Sequence, residues 1–328
     1  MKQASKNVQA AVEQPTMAYE GKTIDKIKRF RVGKFIGGGS FGSVHYGTDA
    51  KTSKTVAVKF ESTKIEQRTL TLEYNFYKKF SYYARLTPQA LALVEVNNDH
   101  NALVMEVLGP SLHKIHQICE KRFSTPCITA ITIQLLNIFE FIHNCGILHR
   151  DIKPENFVLG LPETDEWKRI FVIDFGTCKE FRDENKKHIP YETGLLMVGT
   201  ARYVSINNMR FSRTSRRDDL EAMFYMIVSL FAGSLPWQSA QYNDILAQKE
   251  VLQPKEFFKG FPTQFSEIFE EIRACEFEAK PRYRWMIGKL LSALRMFGIL
   301  ITSDLYDWDQ KHQFRSRDGI RAIMRPDE

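Results

Sequence analysis

Three polar side chains within six residues carry the strongest chemical signal in the sequence. The stretch HRDIKPEN, residues 149–156, places Asp151, Lys153 and Asn156 directly after a long apolar run. Such groups are costly to bury unless each has a charged or hydrogen-bonding partner. A carboxylate can accept the proton of an attacking hydroxyl, an ammonium group can neutralise a phosphoryl group in transfer, and an amide oxygen can hold magnesium. The spacing therefore indicates phosphoryl transfer, with Asp151 and Lys153 as candidate catalytic residues.

A further carboxylate, Asp174, lies in the stretch DFG at residues 174–176. A lone DFG is most often a simple turn. Together with Asn156, however, Asp174 supplies the oxygen ligands that would chelate magnesium against the terminal phosphates of a nucleotide. Asn156 and Asp174 are therefore the predicted metal ligands.

A glycine-rich stretch offers a place for those phosphates. IGGGSFGSV, residues 36–44, contains Gly37, Gly39 and Gly42 in the pattern G-x-G-x-x-G. Glycine lets backbone amides approach a phosphate closely. No helix is predicted to follow, which argues against a Rossmann dinucleotide site.

Lys59 in VAVK and Glu73, fourteen residues later, complete the charge balance. A lysine on a strand is usually solvated, but a Lys–Glu pair of this kind holds the lysine against nucleotide phosphates. Phosphate oxygens and three carboxylates need compensating cations, which Lys59, Lys153 and magnesium would supply. We therefore expect six side chains to act together at one site. They are Lys59, Glu73, Asp151, Lys153, Asn156 and Asp174.

The elements that must position these residues fall into two groups. FRVGKFIG, SVHYGTD and KTVAVKFE predict an antiparallel meander, ALALVEV and NALVMEVLG predict two more strands, and residues 64–80 predict a helix. After Gly109 and Pro110 the pattern becomes helical. Apolar residues at helical spacing predict a long helix that begins at Thr125, as N-cap, and stops at Gly146.

These elements predict an α+β fold with a small antiparallel β-sheet lobe that carries one main helix, and a larger, mostly helical lobe. We expect a mobile tail over residues 1–25, the small lobe over 26–108, the larger lobe over 109–310 and a second tail over 311–328. The last fifteen residues, FRSRDGIRAIMRPDE, are either a partner-binding helix or part of that tail.

Composition narrows the class of protein. The net charge is +7, with no zinc-finger or RNA-binding signature, so we expect no nucleic-acid partner. The longest nearly apolar run, residues 223–233, is too short to cross a bilayer and predicts a buried core helix. Five irregularly spaced cysteines without a CxxC pair argue against zinc and for reduced thiols, with Cys178 expected to be accessible. We expect a monomer without a membrane partner, in the cytoplasm, with the nucleus as a second compartment.

The combined motifs resemble those of eukaryotic protein kinases from about Phe30 to Trp308. The stretches GTARYVSINN, MEVLGPSL, SRRDDLEAMFY and GSLPWQ are similar to the casein kinase 1 superfamily, which has Ser-Ile-Asn where most kinases have Ala-Pro-Glu. The ending FGILITSDLYDWDQ is similar to the tau-tubulin kinase branch. On these residues the chain is identified as a divergent member near that branch, with a bilobal kinase fold.

The resemblance implies a constitutively active serine/threonine protein kinase that uses ATP and Mg²⁺. It implies that Met105 is the gatekeeper, that the backbone of Glu106 and Leu108 hydrogen-bonds adenine, and that Asp219 braces the catalytic loop, with a helix N-cap as the alternative role. Thr200 is expected to hydrogen-bond Asp151 and Lys153. The full set of implied ATP-binding residues is Ile36, Gly37, Gly39, Gly42, Val44, Ala57, Lys59, Glu73, Met105, Glu106 and Leu108.

The substrate is less defined. The resemblance implies serine or threonine in acidic or cytoskeletal protein substrates, with Arg202 matching an anion-binding residue. The loop before GTARY is apolar where the family is basic, so Leu195, Leu196 and Met197 are an alternative docking site for an apolar residue. The arginines of residues 210–217 form either a basic patch or a solvated face. A pseudokinase scaffold and a kinase for small molecules or lipids are the rival functions.

Overall fold

The computed structural model describes residues 19–39, 42–64, 68–81, 85–162, 164–299 and 305–310. The predicted tail before residue 19 and the predicted tail over 311–328, including the possible helix at its end, lie outside the described residues. The described chain divides into two compact units. The first holds residues 19–81 and 88–107, and the second holds residues 85–87 and 108–310.

The first unit is built on a five-stranded sheet in the order β1-β2-β3-β5-β4, with every neighbouring pair antiparallel. The predicted meander forms the first three strands, and the two further predicted strands pair with each other and add to the sheet with β5 on the inside. The strands are β1 (Phe30–Gly39), β2 (Gly42–Asp49), β3 (Lys54–Ser62), β4 (Ala90–Asn97) and β5 (His100–Glu106).

Alternation along β3 gives the sheet two distinct faces. Val56, Val58 and Phe60 are buried in an apolar cluster on one face, together with Ile24. The ring of Tyr19 stacks on Phe60 at 4.9 Å, so residues 19–24, which the sequence places in the tail, cover this face. Since successive side chains of a strand point to opposite faces, Ala57, Lys59 and Glu61 belong to the other face.

Helix α1 (Leu70–Ser81) begins six residues later than the sequence predicts. Its start is fixed by the buried carboxylate of Glu61, which accepts hydrogen bonds from the backbone N–H groups of Thr69 (2.8 Å) and Leu70 (3.1 Å). An acceptor at this end satisfies orphan donors and complements the helix dipole. Residues 65–67 lie outside the described residues.

The second unit is mostly helical. Two short antiparallel sheets of two strands each pair β6 (Ile147–Leu148) with β9 (Lys179–Glu180) and β7 (Phe157–Leu159) with β8 (Ile170–Val172). The described helices are α2 (Leu112–Ile118), α3 (Thr125–Asn144), α4 (Ile206–Met209), α5 (Arg216–Ala232), α6 (Tyr242–Glu250), α7 (Pro254–Phe257), α8 (Thr263–Ala274) and α9 (Tyr283–Met296).

Helix α3 packs against α5 and α9. Its N-cap is Ser124, one residue before the predicted Thr125, because the Ser124 hydroxyl accepts from the N–H of Cys127. Gly146 adopts φ +83° and ends the helix as predicted, since glycine takes this left-handed conformation without strain. By length and hydropathy α3 could cross a membrane, but 67% of its most apolar window is buried inside the protein, as in a core helix.

The apolar run over 223–233 is confirmed as part of a buried core helix. Fourteen side chains of α5 are buried. A capping box formed by Ser215 and Asp218 starts the helix, and Gly233 at φ +85° ends it. A buried helix allows its polar side chains to reach the loops around it, which matters for the site below.

We expect the core of the second unit to be sensitive to loss of volume at α3. Leu135→Ala, at a fully buried position, should lower the free energy of unfolding by about 2–5 kcal/mol through lost burial and the resulting cavity. Met296→Ala, at a position that is 77% exposed on α9, should change it by less than about 0.5 kcal/mol. Urea unfolding followed by circular dichroism measures both. Equal losses in the two variants would contradict this assignment of the core.

Candidate active site

The predicted pair between Lys59 and Glu73 forms in the first unit. The Lys59 Nζ donates to the Glu73 Oε2 at 2.7 Å, and Glu73 is 1% exposed. Burial of a carboxylate is tolerable only with partners of this kind. The structure also adds the Tyr77 hydroxyl, which donates to the other oxygen of Glu73 at 3.1 Å.

Sequence reasoning missed Tyr77, although a signal for it existed. Tyr77 lies four residues after Glu73 on α1, the spacing that brings two side chains to the same side of a helix. With Lys59 on one oxygen and Tyr77 on the other, the Glu73 carboxylate has a fixed orientation. The lysine is thereby held at a defined place on its face of the sheet.

The residues expected around adenine are arranged near Lys59 by strand register. Val44 is paired with Lys59, and Ala57 is paired with Met105, so these side chains share one face of the sheet. Ala57 and Met105 are largely buried. The remaining expected positions are Ile36 at a register shift in β1, Glu106 at the end of β5, and Leu108, half-buried, in the second unit.

The glycine-rich motif forms the end of the β1–β2 hairpin. Gly39 is paired with Gly42, and Gly37 with Val44, whereas residues 40–41 at the tip lie outside the described residues. Gly42 has φ +140°, and a Cβ there would lie 1.8 Å from the carbonyl oxygen of Phe60. A Cβ at Gly37 would meet no atom within 4 Å. The motif thus joins two strands, unlike the strand-to-helix turn of a Rossmann unit.

In the second unit, the predicted catalytic residues converge on Asp151, which is 5% exposed. The Lys153 Nζ donates to the Oδ2 of Asp151 at 2.6 Å, and the Thr200 hydroxyl donates to its Oδ1 at 2.9 Å. The Asn156 amide donates to the backbone carbonyl of Asp151 at 2.8 Å. The predicted hydrogen bond from Thr200 to Asp151 is confirmed. A carboxylate held on both oxygens has a defined direction in which it can accept a proton.

Asp219 braces this loop from α5, as predicted. Its Oδ2 accepts from the N–H of His149 at 2.8 Å, and its Oδ1 accepts from the N–H of Arg150 at 3.0 Å. Arg150 has φ +69°, a strained conformation for a residue other than glycine. The alternative role as a cap belongs to the neighbouring Asp218, which forms the capping box of α5.

A buried relay supports Asp219, and sequence reasoning missed it. His143 of α3 hydrogen-bonds the Oδ2 of Asp219 through Nε2 at 2.9 Å and the Tyr283 hydroxyl through Nδ1. Burial is the largest single influence and raises the pKa of Asp219, but the hydrogen bonds and electrostatic interactions with His143 and His149 together outweigh it, so the pKa of this carboxyl is lowered. Burial lowers the pKa of His143. No sequence signal links Tyr283 to a loop more than 130 residues earlier.

The expected magnesium ligands have suitable chemistry. The Asn156 amide nitrogen is engaged with Asp151, which fixes the plane of the amide and directs its oxygen away from that bond. Asp174 has φ +65°, a conformation that non-glycine residues rarely adopt and that is concentrated at functional sites. In the part of the chain that the structure describes, no cluster of three or more His, Cys, Asp or Glu forms an all-protein cage. Magnesium usually takes one or two protein ligands plus phosphate oxygens, so the pair fits it.

The segment expected to face a protein substrate is bonded firmly to the helices around it. The Ser205 hydroxyl and the Asn207 amide donate to the Oδ1 of Asp218 at 2.7 and 3.0 Å. Arg202 is half-buried, with its guanidinium 5.8 Å from the ring of Tyr203. Its carbonyl accepts from the Trp237 indole at 2.8 Å.

Each arginine of residues 210–217 bonds a protein group: Arg210 pairs with Glu250, Arg213 with Glu192, Arg216 with the Glu278 carbonyl, and Arg217 with the Cys275 carbonyl. Glutamates thus balance the charges of Arg210 and Arg213, whereas Arg216 and Arg217 bond neutral backbone groups. The expectation that Cys178 is accessible is wrong. Cys178 is 5% exposed, since its side chain packs under the loop near the carbonyl of His149.

Comparison with known families agrees with this geometry. The family described as protein kinase domain matches residues 30–293, well over half of the chain. The match confirms the predicted fold class, in which a five-stranded antiparallel lobe with one helix accompanies a mostly helical lobe.

We expect the two glycines of the motif to respond differently to a methyl group. Gly42→Ala should destabilise the protein by about 2 kcal/mol, because the new Cβ collides with the Phe60 carbonyl and the backbone conformation becomes strained. Gly37→Ala should change stability by less than about 1 kcal/mol. Thermal unfolding without nucleotide measures both variants. A Gly42→Ala protein as stable as Gly37→Ala would refute this reading of the hairpin.

Proposed function

The chain belongs to the protein kinase domain family, and we propose that it is an active serine/threonine kinase of the casein kinase 1 type. It would transfer the γ-phosphoryl group of ATP to a hydroxyl group of a protein. The observation that carries the proposal is the convergence of Lys153, Thr200 and Asn156 on Asp151. A pseudokinase scaffold would have lost at least one such group, whereas this chain retains the whole predicted set.

Asp151 is the proposed acceptor of the substrate hydroxyl proton. Its two oxygens are bonded by Lys153 and Thr200, so a hydroxyl can approach only along the remaining lone-pair directions. Lys153, which is bonded to Asp151, is the proposed cation that neutralises negative charge on the phosphoryl group during its transfer to the substrate hydroxyl. Catalysis of this kind depends on positioning and electrostatic stabilisation rather than on covalent intermediates.

Lys59 is the proposed phosphate ligand of the first unit, oriented by Glu73 and Tyr77. Asn156 and Asp174 are the proposed ligands of magnesium, which when bound neutralises charge on the phosphates. Ala57, Met105 and Val44 offer an apolar surface on the same face of the sheet as Lys59, which suits a purine ring.

Two features support activity without phosphorylation of the segment from Asp174 to Asn207. Protein groups already hold its C-terminal half. Arg213 pairs with Glu192, and the Asn208 amide donates to the Val198 carbonyl at 2.7 Å. Thr200 is engaged with Asp151. Phosphorylation would therefore add little order to this segment. In other kinases the corresponding segment becomes ordered only when a phosphate forms new pairs with arginines.

Exposed apolar side chains favour a substrate with an apolar residue near the acceptor hydroxyl. Leu196 is 88% exposed and Phe211 is 45% exposed. The N–H of Leu195 donates to the Phe211 carbonyl at 2.9 Å, which keeps the two stretches side by side. Phe211 has φ +58° and stacks on Tyr242 at 6.2 Å, so its ring is held outward in a strained backbone.

Loss of either central charge should abolish phosphotransfer and leave the fold intact. After phosphatase treatment, wild-type protein should transfer label from Mg-ATP to casein, whereas Lys59→Met and Asp151→Asn should each lose at least about 100-fold in rate. Removal of magnesium with a chelator, or Asp174→Ala, should have the same effect.

Matched exposed positions serve as controls. Lys54 is an exposed residue on the same strand as Lys59, and Asp165 is an exposed acid of the second unit, so the control variants are Lys54→Met and Asp165→Asn. Both should retain wild-type rates. Retained transfer in Lys59→Met or Asp151→Asn would refute the assigned roles, and inert phosphatase-treated wild type would refute activity without phosphorylation.

Substrate preference should depend on Leu196. On a peptide array, we expect wild-type protein to favour peptides with an apolar residue near the acceptor, and Leu196→Ser to reduce that preference about three- to tenfold, the size expected for one buried apolar contact. Val251→Ser, at a comparably exposed apolar position, should leave the preference unchanged. An array without apolar preference in the wild type would count against this docking surface.

A further inference from the structure

Lys249 of α6 is a fully buried lysine outside the predicted site. Lysine is almost never completely buried unless it is paired. Its Nζ donates to the carbonyl of Val204 at 2.7 Å and to that of Ala201 at 3.1 Å. The same atom lies 4.7 Å from the ring centre of Tyr225 and 5.3 Å from that of Trp237. Two carbonyl oxygens and two aromatic faces surround the ammonium group.

The two carbonyls belong to the stretch that follows Thr200. Thr200 donates to Asp151, and Trp237 holds the intervening carbonyl of Arg202. Lys249 and Trp237 therefore bind three carbonyls within four residues. Because Thr200 is bonded to Asp151 and the residues after it are bonded to α6 and Trp237, the backbone of residues 201–204 is held at a fixed distance from Asp151.

The charges around Lys249 show that it is not one half of a simple ion pair. Glu221 of α5 is bonded by the Tyr225 hydroxyl at 2.6 Å and lies 3.6 Å from Arg273 of α8. Arg273 also donates to the backbone carbonyl of Lys249 at 2.8 Å. Burial lowers the pKa of Lys249 to about 7, Glu221 opposes this shift and Arg273 adds to it.

An apolar residue at position 249 would avoid the desolvation cost of a buried charge. It would also leave the carbonyls of Ala201 and Val204 without the donor that the structure gives them, and such buried groups cost about 1–3 kcal/mol each. The backbone would then relax towards other partners. The ammonium group thus costs desolvation free energy, but it fixes the backbone of residues 201–204 through the two carbonyls that it binds.

We propose that Lys249 is a positioning residue for phosphotransfer, whose buried ammonium group fixes the backbone of residues 201–204 against the protein substrate without affecting nucleotide binding. This inference rests on the proposed kinase function. The group acts through the segment and touches neither nucleotide nor reacting atoms. It therefore predicts a selective defect in the use of the protein substrate.

The test compares Lys249→Met, Lys249→Arg and Leu290→Ala. Leu290 is a fully buried residue of α9 and controls for lost stability. Lys249→Met should raise the KM for an acetylated peptide without histidine by about tenfold, the equivalent of one buried hydrogen bond, and change the KM for ATP by less than about twofold. Lys249→Arg should keep most of the peptide affinity, and Leu290→Ala should keep the peptide KM while its melting temperature falls.

A second measurement does not depend on catalysis. Hydrogen–deuterium exchange over residues 199–207 should rise in Lys249→Met and not in Leu290→Ala. If the wild type transfers no phosphate, the proposed function fails, and the exchange result still decides whether Lys249 fixes the segment. If the wild type is active and Lys249→Met shows normal peptide KM or normal exchange, the role of Lys249 is refuted.

The wild-type protein supplies a further test should Lys249→Met fail to fold. Above the pKa of Lys249 the group becomes a neutral amine, which keeps two N–H donors but loses the charge assistance of its hydrogen bonds and its cation–π contacts, so the peptide KM measured at saturating ATP should increase between about pH 6 and about pH 9. Lys249→Arg keeps its charge over this range and should show no such increase. A flat peptide KM in the wild type would overturn the proposal.

Discussion

The geometry of the loop that carries Asp151 depends on one buried carboxylate. Asp219 stands on a core helix and binds two consecutive backbone N–H groups, those of His149 and Arg150, immediately before Asp151. A loop cannot bury its own polar backbone without partners, and Arg150 would not keep its left-handed conformation without a compensating contact. The hydrogen bonds of Asp219 supply both conditions. Asp151 follows directly on the anchored backbone, and Lys153 and Asn156 are then placed by their own hydrogen bonds to Asp151.

The same arrangement recurs elsewhere in the protein. Glu61 of β3 holds the first turn of α1, Asp218 of α5 holds Ser205 and Asn207, and Lys249 of α6 holds the stretch just before Ser205. In each case a regular element contributes one buried charge, and an irregular or terminal stretch contributes backbone or hydroxyl groups. Charge-assisted hydrogen bonds are about twice as strong as neutral ones. A few such contacts can therefore define loops that the hydrophobic core does not reach.

Sequence reasoning succeeded where the signal was local. Strand alternation gave the five-stranded sheet, helical spacing gave α3, and the spacing of HRDIKPEN predicted side chains that do gather on Asp151. It failed where the position of a residue depends on a partner in another element. The start of α1 depends on Glu61, and the support of Asp219 depends on Tyr283, which no periodicity reveals. Cys178 looked accessible because it follows a turn, but burial depends on which elements pack over that turn.

A network of hydrogen bonds and ion pairs also connects the two ends of the stretch formed by residues 201–207. Glu221 accepts a weak hydrogen bond from the N–H of Ile206 at 3.4 Å and raises the pKa of Lys249, whose carbonyl partners lie at the other end of the stretch. Arg273 touches both Glu221 and the backbone of α6. Side chains that share partners in a low-dielectric interior do not contribute independently. The stretch is therefore held as one cooperative unit, in which the effects of substitutions at Glu221, Lys249 and Arg273 are not expected to add independently.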